Sequence, residues 1–291
     1  MTTMSQTEAT ELFRRPPDRH LDVGAGEAAY RRVGSGPDVL FVHGWPVSSA
    51  TYRLLLPHLV EHVTCHLFDF PSAGDSRFDA QRTELSIERH IETVRRVIDL
   101  LELDEVAVVG HDSGGMIARH AVVGDPRLRA MGLIDTEQLK LNWRFKAFIA
   151  SSKAPGFARI LGWAAMQRRV RRNQFVLGGA FADNDLLDGE FEEFFLRPLN
   201  EVPDRLAAAV RLVRTFDTDH VEQFAEIHPR IDVPVKLVWG EEDQFFPVEW
   251  AREMVGSFPN ASLEIIPGAG LFSHEERPAE VAEALLPTLT G

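Results

Sequence analysis

The chain has 291 residues, enough for about two domains or for one α/β unit carrying a smaller insertion. Its 44% hydrophobic and 26% charged residues are those of an ordinary globular protein and exclude extended disorder. With 31 Lys and Arg against 44 Asp and Glu, the net charge of -13 opposes binding to nucleic acid or to an anionic membrane surface.

A single cysteine, Cys65, rules out an internal disulfide and any cysteine-rich zinc site. Residues 1–20 are polar and charged and lack the apolar centre of a signal peptide. No run approaches the ~18 apolar residues of a membrane helix, so the expectation is a cytoplasmic protein.

Residues 1–19 read as a flexible tail ending at Pro16-Pro17. Apolar runs at 38–44, 62–71, 105–110, 131–135, 234–240 and 262–268 then predict strands. Between them a helical period over 86–101 sets Ile87, Ile91, Val94, Val97, Ile98 and Leu101 on one face, and another helix starts after Ser113. Alternating helices and continuously apolar strands predict a parallel sheet covered on both faces. The rhythm breaks once. Helical patterns alone fill 142–151, 156–176, 185–199 and 203–224. This predicts an α/β core of residues 20–135 and 232–291 and a helical cap of residues 136–231, seated over the carboxyl ends of the strands.

The stretch Val108-Val109-Gly110-His111-Asp112-Ser113-Gly114-Gly115 is the most informative in the chain. A strand, a sharp glycine-rich turn and a helix form a nucleophile elbow, in which the positions two before and two after the nucleophile must be small. Centred on Asp112 those positions are Gly110 and Gly114; centred on Ser113 one of them is His111, which is too large. Steric logic therefore selects Asp112. The plain alternative is an acidic cap on the following helix. A carboxylate nucleophile attacks a saturated carbon and forms an alkyl ester, which a base-activated water then hydrolyses. His43-Gly44-Trp45-Pro46 follows the first long apolar strand, and the backbone N–H groups of Trp45 and Ser113 are the candidate oxyanion donors.

These motifs, with Asp69–Arg77, Trp239–Asp243 and the Glu275-Glu276-Arg277-Pro278 helix entry in the same order, resemble the α/β-hydrolase superfamily. Within it they resemble the aspartate-nucleophile branch of haloalkane dehalogenases, fluoroacetate-type dehalogenases and epoxide hydrolases. The resemblance implies an α/β-hydrolase fold over nearly the whole chain after the tail. It implies a catalytic acid at Asp243, with Asp135 as the second candidate. It also implies a histidine base in a Gly-His-aromatic step near the C-terminus, but that step reads Gly270-Leu271-Phe272. His274 follows three residues later, a displacement of about 10 Å in extended chain, and takes the base position only if the loop bends back. Without a base, Asp112 still forms the ester but the ester does not turn over.

Substrate class follows by what is missing. Tyr30 and Tyr52 both precede the cap, so the cap tyrosines of epoxide hydrolases are absent. Ser113 to Met116 hold no arginine to grip a substrate carboxylate, and Ser113 replaces the halide-binding tryptophan expected of haloalkane dehalogenases. Trp45 and a cap tryptophan, Trp143 or Trp163, are candidate indole donors to a halide, with core packing as the ordinary role of such residues. The reading is a haloalkane-dehalogenase-like hydrolase of a small hydrophobic organic substrate, its pocket widened at Ser113. Epoxide hydrolysis comes second, and a non-catalytic ligand-binding protein or a cofactor-free lyase or isomerase remain alternatives. No metal or redox cofactor is expected, because the glycine-rich turns form neither G-x-G-x-x-G nor a P-loop.

Overall fold

The computed structural model describes residues 3–291. Its eight strands are β1 (Arg19–Asp22), β2 (Glu27–Gly34), β3 (Asp38–Val42), β4 (Thr64–Phe68), β5 (Val106–His111), β6 (Leu128–Ile134), β7 (Val235–Gly240) and β8 (Ala261–Ile266). They form one sheet in the order β1-β2-β4-β3-β5-β6-β7-β8. The β1–β2 and β2–β4 pairs are antiparallel and every other pair is parallel. β3, β4 and β5 are buried along almost their whole length, as strands covered on both faces must be. The helix Ile87–Leu100 buries Ile87, Ile91, Val94, Val97 and Ile98, the face its periodicity specified.

All six expected strands are present; β1 and β2 are additional. β2 is hard to read because it carries Arg31, which is almost wholly buried. The Arg31 guanidinium donates to the Leu12 and Arg15 carbonyls and pairs with Asp75. The same contact corrects the reading of residues 1–19 as a flexible tail. Gln6–Arg14 is a helix opened by a Ser5/Glu8 capping box, with Ala9, Thr10 and Phe13 buried. Arg14 reaches Glu193 in the cap at 2.8 Å. Polar composition concealed a helix that docks through one face only.

No strand lies between β6 and β7. The cap is built on the helices Trp143–Ser152, Phe157–Met166 and Arg205–Arg214, with shorter turns between them. The helix expected over 156–176 stops at Met166, where Gln167 turns extended. β3 lies between β4 and β5, so the chain leaves β3 to one side and returns on the other. Such a reversal of strand order opens a crevice at the carboxyl ends of the strands. Trp45 follows β3 and Asp112 follows β5 at that point.

Two glycines allow the approach. A Cβ on Gly110 would lie 2.5 Å from the Gly115 Cα, and one on Gly114 would strike the Val42 carbonyl. Gly110→Ala is expected to lower unfolding free energy by about 1–3 kcal/mol, the usual cost of overpacking, as read by chemical denaturation.

Candidate active site

Asp112 occupies the tip of the bend between β5 and the helix Ser113–Val122, with φ 50° and ψ -138°. This is strained backbone for a residue with a Cβ, and surrounding bonds hold it there. Its N–H donates to the Asp135 carbonyl at 3.1 Å, while its own carbonyl accepts from Gly115 N–H at 2.8 Å and from Thr136 Oγ1 at 2.7 Å. The side chain does not cap the helix in the ordinary way. Instead its Oδ2 accepts from the Trp45 N–H at 2.8 Å and from Ser113 Oγ at 3.2 Å, while Oδ1 accepts no hydrogen bond from the described residues.

Burial drives the Asp112 pKa up, and the N–H groups of Ser113 and Trp45 pull it down; the net value is about 6. A hydrogen bond to a charged group contributes about 1.5–3 kcal/mol, so these donors offset much of the desolvation but not all of it. At neutral pH the carboxylate is ionised and poorly solvated, the state a nucleophile needs.

Asp112 lies against a cavity of about 470 Å³ between core and cap. Ten of the chain's 19 phenylalanines line it, and apart from Asp112 its only charged or amide-bearing walls are Arg144 and Gln174. Trp143 lines the cavity and is 65% exposed, which places it at the rim; Trp163 does not line it. The Trp45 indole is not free for a halide, because its Nε1–H donates to the Ala209 carbonyl at 2.9 Å. Ser113 does not widen this cavity; it lines a smaller chamber on the other side of Trp45.

The structure does not bring His274 to the cavity. The loop leads into a single helical turn, Ser273–Glu276, whose first residue is clamped to Asp135. That turn directs His274 inward, where it is wholly buried against Tyr52 and His111. Its Nε2–H donates to Thr51 Oγ1 at 2.8 Å, and the Thr51 hydroxyl donates to Glu275. Burial holds its pKa well below the usual imidazole value. Leu271 and Phe272 of this step both line the cavity, and the Leu271 carbonyl accepts from His111 Nε2–H at 2.9 Å.

The two candidate acids differ in what they leave free. Asp135 accepts from the Gly240 N–H at 2.6 Å through one oxygen and from Ser273 through the other. Asp243 Oδ1 accepts from the N–H groups of Phe245 and Phe246 at 2.7 and 3.0 Å, and its buried Oδ2 has no partner. The resemblance implies a histidine base beside that oxygen, but the residue of this chain in that step is Leu271. Burial, with the Asp112 charge adding to it, lifts Asp243 to about 8.

Three nearby residues escaped the sequence reading. Thr136 ties the Asp112 carbonyl in place. Glu137 is wholly buried, and burial with the Asp112 charge raises it to about 8. Arg119 is wholly buried too, donating to the Gly115 and Glu137 carbonyls and lying 3.8 Å from the Phe224 ring centre. The only available signal was Arg119, a charge inside an apolar helix, which by itself says nothing about a site.

Residues 39–284 match the model of the alpha/beta hydrolase family. An uncharacterized protein of Mycobacterium tuberculosis is 26% identical, over 86% of this chain and 74% of its own. A pimeloyl-[acyl-carrier protein] methyl ester esterase of Chromobacterium violaceum is 27% identical, over 84% and 92%. Among solved structures, a haloalkane dehalogenase from Bradyrhizobium elkani superposes with a TM-score of 0.77 at 20% identity, covering 94% of this chain and 97% of that one. The chain belongs to the α/β-hydrolase family. Among the described residues no helix is long and apolar enough to cross a membrane.

The raised acids set the pH dependence of stability. Between the unfolded carboxyl pKa, near 4, and about 8, the folded protein holds protons that the unfolded chain has released. Below about pH 6.5 the buried histidines, held neutral in the fold, act in the opposite sense; above it only the acids remain, and stability falls as pH rises toward 8. The thermal midpoint is expected to drop from pH 7 to pH 9, and Asp243→Asn, which has no proton to lose, should flatten that slope.

Proposed function

We propose that this member of the family is a hydrolase acting on a saturated carbon of an apolar organic substrate, with Asp112 as nucleophile and haloalkane-dehalogenase-like displacement as its chemistry. The observation that carries the reading is a strained elbow carboxylate, one oxygen held by backbone N–H and the other free, set against a phenylalanine-lined cavity. Oδ1 attacks the carbon as the carbon–halogen bond breaks, and the halogen departs with its electron pair as halide. Oδ2 becomes the ester carbonyl oxygen. It already accepts from the Trp45 N–H, and the Ser113 N–H beside it is the second donor proposed for the charge that develops when water adds.

A leaving group that departs as a stable anion suits this site better than an epoxide. Alkoxide release needs an acid, and neither tyrosine supplies one: Tyr52 donates to the Val42 carbonyl and Tyr30 is paired with His66. Leu271 favours a second feature of the same reading. No imidazole reaches the cavity to deprotonate the attacking water, so ester formation outruns ester hydrolysis and the alkyl-enzyme accumulates.

Mixing the protein with 1-bromohexane should give a one-to-one mass increase of a hexyl group, mapped to Asp112 and absent in Asp112→Asn. The alkylation rate should rise with pH, with a midpoint near 6, because the ionised form attacks. Leu271→His should raise turnover by roughly 10²-fold or more, the scale of a positioned general base. Failure to alkylate at any pH, with reversible ligand binding unchanged in Asp112→Asn, would make the protein a binding module.

A further inference from the structure

Behind Trp45 lies a second chamber, small and of different character. It measures about 40 Å³, room for about three waters or one small anion. Trp45, Pro46, Val47 and Phe195 wall it from the main cavity. On its outer side Ser48, Gly74, Phe194, Pro198 and Arg205 divide it from a surface groove.

Five arginines of the described chain are nine-tenths or more buried: Arg31, Arg53, Arg119, Arg171 and Arg205. Arg31 pairs with Asp75, Arg53 with Glu190 and Glu275, and Arg171 with Asp188 and Glu192. Arg119 donates to two carbonyls and to Thr136. The Arg205 side chain alone makes no hydrogen bond or ion pair, and its Nε is enclosed without a partner. It opens the cap helix Arg205–Arg214 and lines the chamber. The nearest acids are already engaged. Asp69 accepts from Ser49 and from the Asp75 N–H, and Asp75 is held by Arg31. Asp69 and Asp75 act on Arg205 only from beyond hydrogen-bond distance, a buried cation with no direct partner is costly, and a partner anion has a place to sit.

The other walls agree. Ser48 and Ser72 are buried, line the chamber, and their hydroxyls have no partner in the protein. His43 is fully used, donating through Nδ1–H to the Gly44 carbonyl and accepting from the Phe70 N–H. His90 donates to the Ser86 carbonyl, and burial keeps it neutral, so its Nε2 adds no donor. The available donors are thus one guanidinium and two hydroxyls. One unpaired positive charge calls for a monoanion, and the volume excludes a phosphate ester.

We propose that this chamber is an anion subsite for a halide ion or a carboxylate group, with Arg205 as its cation and Ser48 and Ser72 as hydroxyl donors. It shares a wall with the cavity of Asp112, and the Trp45 N–H that holds Asp112 Oδ2 comes from that wall. An anion there would be a released leaving group or the acid head of a substrate.

The test is calorimetric titration with sodium bromide and, separately, sodium formate. It is run on the intact protein and on Asp112→Asn, so that its result does not depend on the nucleophile. Saturable one-to-one binding in both proteins is expected. Bromide alone would mark a halide site, formate alone a carboxylate site, and both a shared one. Arg205→Met should weaken binding at least tenfold, Arg205→Lys should retain it at less than tenfold cost, and Ser48→Ala should weaken it several-fold with the fold unchanged. Absence of binding with both anions, or equal binding in Arg205→Met, would overturn the proposal. Equal binding in Ser48→Ala would overturn the assignment of that hydroxyl even if Arg205→Met failed to fold.

Discussion

The hydrogen bond from the Trp45 N–H to Asp112 Oδ2, 2.8 Å long, ties together the two strand ends on which the site is built. It forms only because β3 and β5 are neighbours whose connections depart in opposite directions, and because no side chain at Gly110 or Gly114 keeps helix and sheet apart. The backbone strain at Asp112 is then held by bonds on both sides of the residue. A carboxylate so placed has one oxygen engaged and one free, and that asymmetry is the basis of the chemistry proposed for it.

Around this bond the interior is acidic and poorly solvated. Asp112, Asp135, Glu137 and Asp243 are all buried, and burial raises each above the usual carboxyl range. Asp112 is raised less than Glu137 and Asp243, because each of those carries the repulsion of the Asp112 charge on top of its burial. Asp243 has donors for one oxygen and nothing for the other. That unpaired oxygen and Leu271, which stands where the resemblance implies a histidine, are the two points at which the acid–base pair expected from the sequence is incomplete.

Much of the fold could be read from pattern. Six strands, the helix Ile87–Leu100 and the strand-free insertion follow from periods of two and 3.6 and from glycine punctuation. The elbow could be read because its steric demand falls on residues two apart in sequence. The N-terminal helix and β2 could not, because what orders them is long-range: Phe13 packing, the Arg14–Glu193 pair, and Arg31 reaching two carbonyls and Asp75. The directions of His274 and the Trp45 indole were equally hidden. A single turn clamped by Asp135 decides the first, and a cap carbonyl about 160 residues away decides the second.

Sequence by itself was enough for the family, for placing Asp112 rather than Ser113 at the tip of the bend, and for the absence of histidine from the Gly270-Leu271-Phe272 step. Each of these is a matter of residue type at short spacing, and short spacing survives without coordinates. Only the tertiary structure decided which side chains share a space: Leu271 and the phenylalanines with Asp112, His274 with Thr51, and Arg205 with the chamber behind Trp45. Side-chain direction is set by the packing of segments far apart in the chain, and no local pattern carries that information.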